Sequence, residues 1–182
     1  MRFHETEIAG VYDIEIEPKM DSRGTFGRCF CVKEFEAAGL ETKFVQQSCA
    51  ITSRKGTVRG LHFQQHPFWE TKLVRCVRGA AFVVVVDLRP SSSTHRQWIG
   101  FELSEKNMRL LYVGSGCAQG YQTLVDDTEL HYQMNVEYQP SAASGVYYAD
   151  TNFNIDWPLA AVELSEKDRQ WPPYLVSDSK LG

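Results

Sequence analysis

Lys72-Leu-Val-Arg-Cys-Val-Arg78, a single glycine, and then Ala80-Ala-Phe-Val-Val-Val-Val-Asp-Leu88 form the most β-prone stretch of the chain. Branched side chains crowd a helix but suit a pleated strand, so two such runs around Gly79 predict adjacent buried strands. The apolar run 80–86 is only strand-sized, far short of the roughly 20 residues a membrane span needs. Shorter segments of the same kind lie on both sides. Val11-Tyr-Asp-Ile-Glu-Ile-Glu17 alternates until Pro18, Asp21-Ser-Arg-Gly24 has turn chemistry, and 25–32 again reads as a strand. Lys33-Glu-Phe-Glu-Ala-Ala-Gly39 reads as a short helix stopped by its glycine. Strands are expected at 44–52 and 57–64 around the turn Ser53-Arg-Lys-Gly56, then at 97–103, 108–113, 120–124, 128–138 and 145–148. Residues 164–168 suggest a second short helix. Many short strands closed by turns predict an all-β closed or double-sheet architecture, a barrel or jelly roll. With no repeat, no low-complexity segment and no break in composition, residues 1–182 read as one domain.

Composition narrows the function classes. Hydrophobic residues are 43% and charged residues 23%, ordinary for a globular protein, and the net charge of −4 disfavours nucleic-acid binding. The N-terminal MRFHETEIAG lacks a signal-peptide layout, and no segment suits a membrane. The five cysteines are odd in number and form no CxxC pair, which points to a reducing cytoplasm. Cys29 and Cys31 would share one face of a strand as small apolar groups. Arg23, Arg28, Arg54, Lys55, Arg59 and Lys72 gather in one part of the sequence. Most surface cations merely solvate, yet a basic cluster in an acidic chain suits a small anion such as a diphosphate.

The segment Gly56-Thr-Val-Arg-Gly-Leu-His-Phe-Gln64 carries the most chemistry. Arg59 and His62 are three apart on a strand and should face opposite ways unless Gly60 marks a bulge. A lone strand histidine is more often structural than catalytic. Lys72 opens the next strand, and Tyr132 lies in the alternating Glu129-Leu-His-Tyr-Gln133. Facing one cavity, these would supply a base, an electrostatic stabiliser and a proton donor.

Taken in order, these segments resemble the dTDP-4-dehydrorhamnose 3,5-epimerases over nearly the whole chain. The matching stretches are Asp21-Ser-Arg-Gly24 with Phe26, Val58-Arg-Gly-Leu-His-Phe-Gln64 and Lys72-Leu-Val-Arg75. They continue with Val86-Asp-Leu-Arg89-Pro-Ser-Ser-Ser-Thr94, Ile155-Asp-Trp-Pro158 and Leu164-Ser-Glu-Lys-Asp168. The resemblance implies a homodimeric cupin-type jelly-roll barrel with short peripheral helices, holding a nucleotide-diphospho-4-keto sugar inside. It places the base on His62, its orienting carboxylate on Asp168, the carbonyl-side lysine on Lys72 and the acid on Tyr132. Arg59 matches a diphosphate-binding arginine and Arg23 an arginine contributed to the nucleotide site. Phe26, Gln47 and Tyr138 fall at substrate-binding positions.

Three positions depart from the family pattern, one of them Ser141, which stands at a polar-acidic position after the Tyr138-Gln-Pro140 turn. Ala118-Gln119-Gly120-Tyr121 has glutamine where the family usually carries a second active-site histidine, and glutamine cannot carry a proton at neutral pH. Arg28 stands where the family usually has a glutamate near the nucleotide. The nucleotide is therefore expected to be dTDP, with CDP or GDP as alternatives, and inversion could fall at C3, C5 or both. No cofactor is expected. No metal is expected either, since His62 and His66 are separated by three residues and His4, His95 and His131 are scattered without ligand spacing. The competing readings are a 3,4-ketoisomerase of the same fold and a non-catalytic sugar-nucleotide binding protein.

Overall fold

The computed structural model describes residues 1–174. In chain order the elements are β1 (Arg2–Glu5), β2 (Val11–Glu15), β3 (Lys19–Asp21), β4 (Gly24–Phe26), α1 (Val32–Ala37), β5 (Gln46–Thr52) and β6 (Val58–Gln64). They continue with β7 (Lys72–Arg78), β8 (Ala80–Asp87), β9 (Trp98–Ser104), β10 (Leu110–Val113), β11 (Cys117–Thr123), β12 (Thr128–Met134), β13 (Ala143–Gly145) and α2 (Glu166–Arg169). A six-stranded sheet ordered β1-β2-β10-β7-β12-β5 faces a five-stranded sheet ordered β13-β6-β11-β8-β9, with β3 and β4 forming a separate hairpin. This is the expected all-β jelly roll with short peripheral helices.

Three apolar layers explain the strand composition. Val74, Cys76 and Leu130 of one sheet meet Val83, Val85 and Tyr121 of the other inside the barrel. On the outer face of the five-stranded sheet, Val84, Val86 and Ala118 lie under Val146 and Phe153. On the six-stranded sheet, Ile14, Leu110 and Tyr112 lie under Phe35 of α1. β8 is thus covered on both faces, which is why its valines run without alternation.

Two expectations are corrected here. β7 and β8 are buried but are not paired: β7 joins β10 and β12, while β8 joins β11 and β9. Gly79, with φ of +74°, turns the chain from one sheet to the other, and a Cβ there would lie 2.8 Å from the Thr128 hydroxyl. Residues 25–32 do not form one strand, because β4 ends at Phe26. Beyond it the chain turns inward so that Phe30 packs on Phe35 and Phe44, at centroid distances of 4.8 and 5.6 Å. Burial of those rings overrides local strand propensity. Cys29 accordingly accepts a hydrogen bond from Arg75 Nη1 at 2.9 Å instead of pairing with Cys31 on a strand face, and Cys31 becomes the N-cap of α1.

Candidate active site

The open end of the barrel holds a cavity of about 1110 Å³, continued inward by a small chamber of about 120 Å³. The larger space is enough for a nucleotide-sized ligand. His62, Lys72, Tyr132 and Arg59 line both compartments. Arg59 and His62, three apart on β6, therefore reach one space. The register between β6 and β11 shifts at this point, with Gln119 opposite His62 but Tyr121 opposite Arg59. Gly60 makes the irregularity feasible: its φ is +120°, and a Cβ there would lie 2.6 Å from Gly120 Cα.

Strand alternation sets the opposite wall. Tyr132 and Met134 pair with Val74 and Lys72, and these side chains point inward from the six-stranded sheet. His62 comes from the five-stranded sheet. Histidine and tyrosine thus stand on opposing walls. Lys72 is almost fully buried; its ammonium lies 2.8 Å from Glu70 Oε1 and 3.4 Å from the His62 carbonyl oxygen.

The tail completes the site. Val162 N–H donates to the Gly56 carbonyl at 3.0 Å and Val58 N–H to the Glu163 carbonyl at 2.9 Å, stitching residues 162–163 along the start of β6. Ser165 then caps α2 by accepting from Asp168 N–H at 3.0 Å. This short turn delivers Asp168 beneath His62. Asp168 Oδ1 lies 2.6 Å from His62 Nε2 and accepts from Trp171 Nε1 at 3.1 Å, while Oδ2 accepts from Gly60 N–H at 3.2 Å. Burial alone would push this carboxyl up, but the hydrogen bond to His62, its charge, and the Gly60 and Trp171 donors hold it below its ordinary value. An ionised carboxylate on Nε2 leaves Nδ1 as the ring nitrogen free to take a proton.

The remaining expected residues divide. Arg59 lies at the cavity, its Nε donating to Thr52 Oγ1 at 3.0 Å and Nη2 to the Ile51 carbonyl at 3.2 Å. Gln47 and Tyr138 line the mouth, and Gln119 lines the inner chamber. Arg23, Phe26 and Arg28 do not line this cavity. Arg23 pairs with Asp21 at 2.6 Å, Arg28 pairs with Glu34 at 3.2 Å, and Phe26 is exposed on the hairpin. The basic cluster expected from sequence is therefore split, with Arg54, Arg59 and Lys72 at the cavity and the first two arginines elsewhere.

Sequence reasoning missed Glu70 and Trp171. Glu70 sits two residues before Lys72, a spacing that can put both on one side of an extended chain. Trp171 follows Asp168 by three, a same-face helical spacing. His131 also needs correction: it is not isolated, since it lies with Cys49 and Glu129 on the sheet's outer face.

Comparison with known proteins bears on the family and the fold. Residues 5–175 match the family model described as dTDP-4-dehydrorhamnose 3,5-epimerase. The enzyme of that name from Methanothermobacter thermautotrophicus is 41% identical over 175 residues, covering 94% of each chain. Its namesake from Shigella flexneri is 40% identical over 181 residues, covering 98% of each. The crystal structure of dTDP-4-dehydrorhamnose 3,5-epimerase from Bacillus anthracis with TDP and PPi bound aligns with a TM-score of 0.92 at 38% identity, over 95% of this chain and 99% of that one. Sequence, barrel topology and extent of match all lead to the same place: this chain belongs to the dTDP-4-dehydrorhamnose 3,5-epimerase family.

Proposed function

We propose that the chain epimerises a nucleotide-diphospho-4-keto-6-deoxyhexose at C3, C5 or both, without a metal and through an enolate. The observation that carries this reading is a histidine–aspartate pair 2.6 Å apart on one barrel wall, with Lys72 and Tyr132 on the other. C3 and C5 both flank the C4 carbonyl, so either carbon can lose its proton as an enolate forms. His62 Nδ1 takes that proton, and the Asp168 carboxylate stabilises the resulting imidazolium. The charge that moves onto O4 meets the Lys72 ammonium, in a nearly buried setting where such an interaction is strong. Tyr132 returns a proton to the opposite face of the planar enolate, and the configuration inverts. The proton taken by His62 leaves to solvent, and the tyrosine is reprotonated from solvent. No electrons leave the sugar, so no redox cofactor is needed.

Arg59 and Arg54 at the cavity mouth suit the diphosphate. dTDP is the first nucleotide to test, because the family is defined by dTDP sugars and the Bacillus anthracis relative has TDP bound; CDP and GDP are the alternatives. Gln119 faces His62 across β6 and β11 and can hydrogen-bond without carrying a proton. His62 and Tyr132 are then the base and acid for whichever centres invert. The hairpin of β3 and β4 leaves Met20 80% and Phe26 74% exposed, which supports a homodimer in which a second copy brings Arg23 and Phe26 to the cavity. Five unpaired cysteines suit a cytoplasmic protein.

Incubation with dTDP-4-keto-6-deoxyglucose, followed by proton NMR, tests the reading. The expected product keeps its ketone at C4 with one or two inverted centres, and Tyr132→Phe slows its appearance by about 100-fold or more. A ketone moved to C3 would identify a ketoisomerase instead. Tight binding of an unchanged sugar would identify a binding protein.

A further inference from the structure

β5 and β12 present a second group of reactive side chains on the face of the six-stranded sheet opposite Tyr132. Cys49 and His131 are direct cross-strand partners, and Glu129 lies two residues along β12 on the same side. The three donor atoms lie within 4.8 Å of one another. Glu129 Oε1 already stands between the other two, 3.3 Å from Cys49 Sγ and 2.9 Å from His131 Nε2. Its other oxygen is held by Arg78 Nη2 at 3.4 Å, so the carboxylate is oriented without losing the oxygen that faces the thiol and the imidazole. Nothing in the epimerisation uses these residues.

We propose that Cys49, Glu129 and His131 form a binding site for a zinc-type divalent cation, with water as fourth ligand. A thiolate, an imidazole and a carboxylate are a donor set for zinc or cobalt, whereas calcium and magnesium demand oxygen. Bond lengths of about 2.0–2.3 Å in a tetrahedron require donors roughly 3.2–3.7 Å apart. The observed 3.3 and 2.9 Å separations are within a few tenths of an ångström of that range, and the third, from Cys49 Sγ to the His131 ring nitrogen, is no more than 4.8 Å, so the thiol and imidazole need only rotate toward each other to close the site. The charges also balance. The ion displaces the thiol proton to solvent, and one thiolate plus one carboxylate neutralise two positive charges while the imidazole binds neutral. Cys49 is exposed, so the ion has a direct path in. The bound ion would clip the edge strand β5 to β12 directly behind Tyr132. Its role is structural, and the site is independent of the proposed epimerisation.

Titrating the full-length, metal-free protein with Co(II) reads the site directly. One equivalent should bind per chain, producing a thiolate-to-cobalt charge-transfer band and the intense visible bands of tetrahedral Co(II). Zinc should displace it. Cys49→Ser should abolish the charge-transfer band, and His131→Ala should weaken binding by at least about tenfold. Both positions are at the surface, and circular dichroism checks that each variant is folded. Zinc at about a hundredfold excess over its Kd should raise the Tm of the parent protein by roughly 5–10 °C, and that of the variants far less. The proposal is overturned if the band is missing at one equivalent. It is equally overturned if the band survives Cys49→Ser, since another cysteine would then be the ligand.

Discussion

Asp168 has both oxygens committed, one shared by His62 and Trp171 and the other holding Gly60 N–H. A carboxylate fixed in this way fixes the tautomer of the imidazole it meets. Asp168→Asn keeps the shape but loses the charge that favours imidazolium. The expected result is a fall in kcat/KM of about 10²–10⁴-fold, with affinity for the nucleotide diphosphate retained. Steady-state kinetics beside calorimetric titration with TDP would show the split, and equal losses in both would instead make the residue a fold determinant. At this scale the sequence was informative in an uneven way. Residue types and order suggested His62, Lys72 and Tyr132, and a resemblance added Asp168, while periodicity put Arg59 and His62 on opposite faces unless Gly60 marked an irregularity, as it does. Their meeting depends on the register shift at Gly60, a property of two strands together. Glu70 and Trp171 were missed because each acts through a neighbour, Lys72 or Asp168, instead of standing in a recognisable motif.

At the scale of elements, Asp87 shows how one buried carboxylate shapes a connection. It ends β8 and accepts hydrogen bonds from Arg89, Ser92 and Thr94, tying the loop that leads into β9. Burial would raise its pKa, but these donors win and lower it from 3.8 to about 2. A depressed carboxyl contributes stability that is fully present above its unfolded value and is lost as pH falls through its folded value. The shift from 3.8 to about 2 corresponds to about 2 kcal/mol. Asp87→Asn should therefore lower unfolding free energy by about 2 kcal/mol near neutral pH, with the deficit shrinking between roughly pH 4 and 2. Urea denaturation at several pH values measures this, and a deficit independent of pH would contradict it. The strand segments themselves were legible, since most lie within a few residues of the expected bounds. Their pairing was not. A strand buried on both faces carries no alternation to identify its sheet, so the turn at Gly79 could be read as a hairpin, and only the packed structure shows the crossing. The segment after Phe26 was misread because the packing of Phe30 on Phe35 and Phe44 is a long-range effect.

Over the whole molecule, function depends on bringing distant parts of the chain to one cavity. His62 belongs to the five-stranded sheet, Lys72 and Tyr132 to the six-stranded sheet, and Asp168 to a tail tied along β6. In the proposed mechanism the two sheets hold base and acid apart across the barrel, and the tail sets its carboxylate against the base. The central claim is that His62 removes a proton beside a ketone and that inversion follows. Incubation of the protein with dTDP-4-keto-6-deoxyglucose in D₂O, with NMR detection of deuterium at C3 and C5, tests that claim most directly. Solvent deuterium should enter at one or both carbons, and His62→Ala should abolish its entry. Epimerised product without deuterium, or exchange undiminished in His62→Ala, would contradict it.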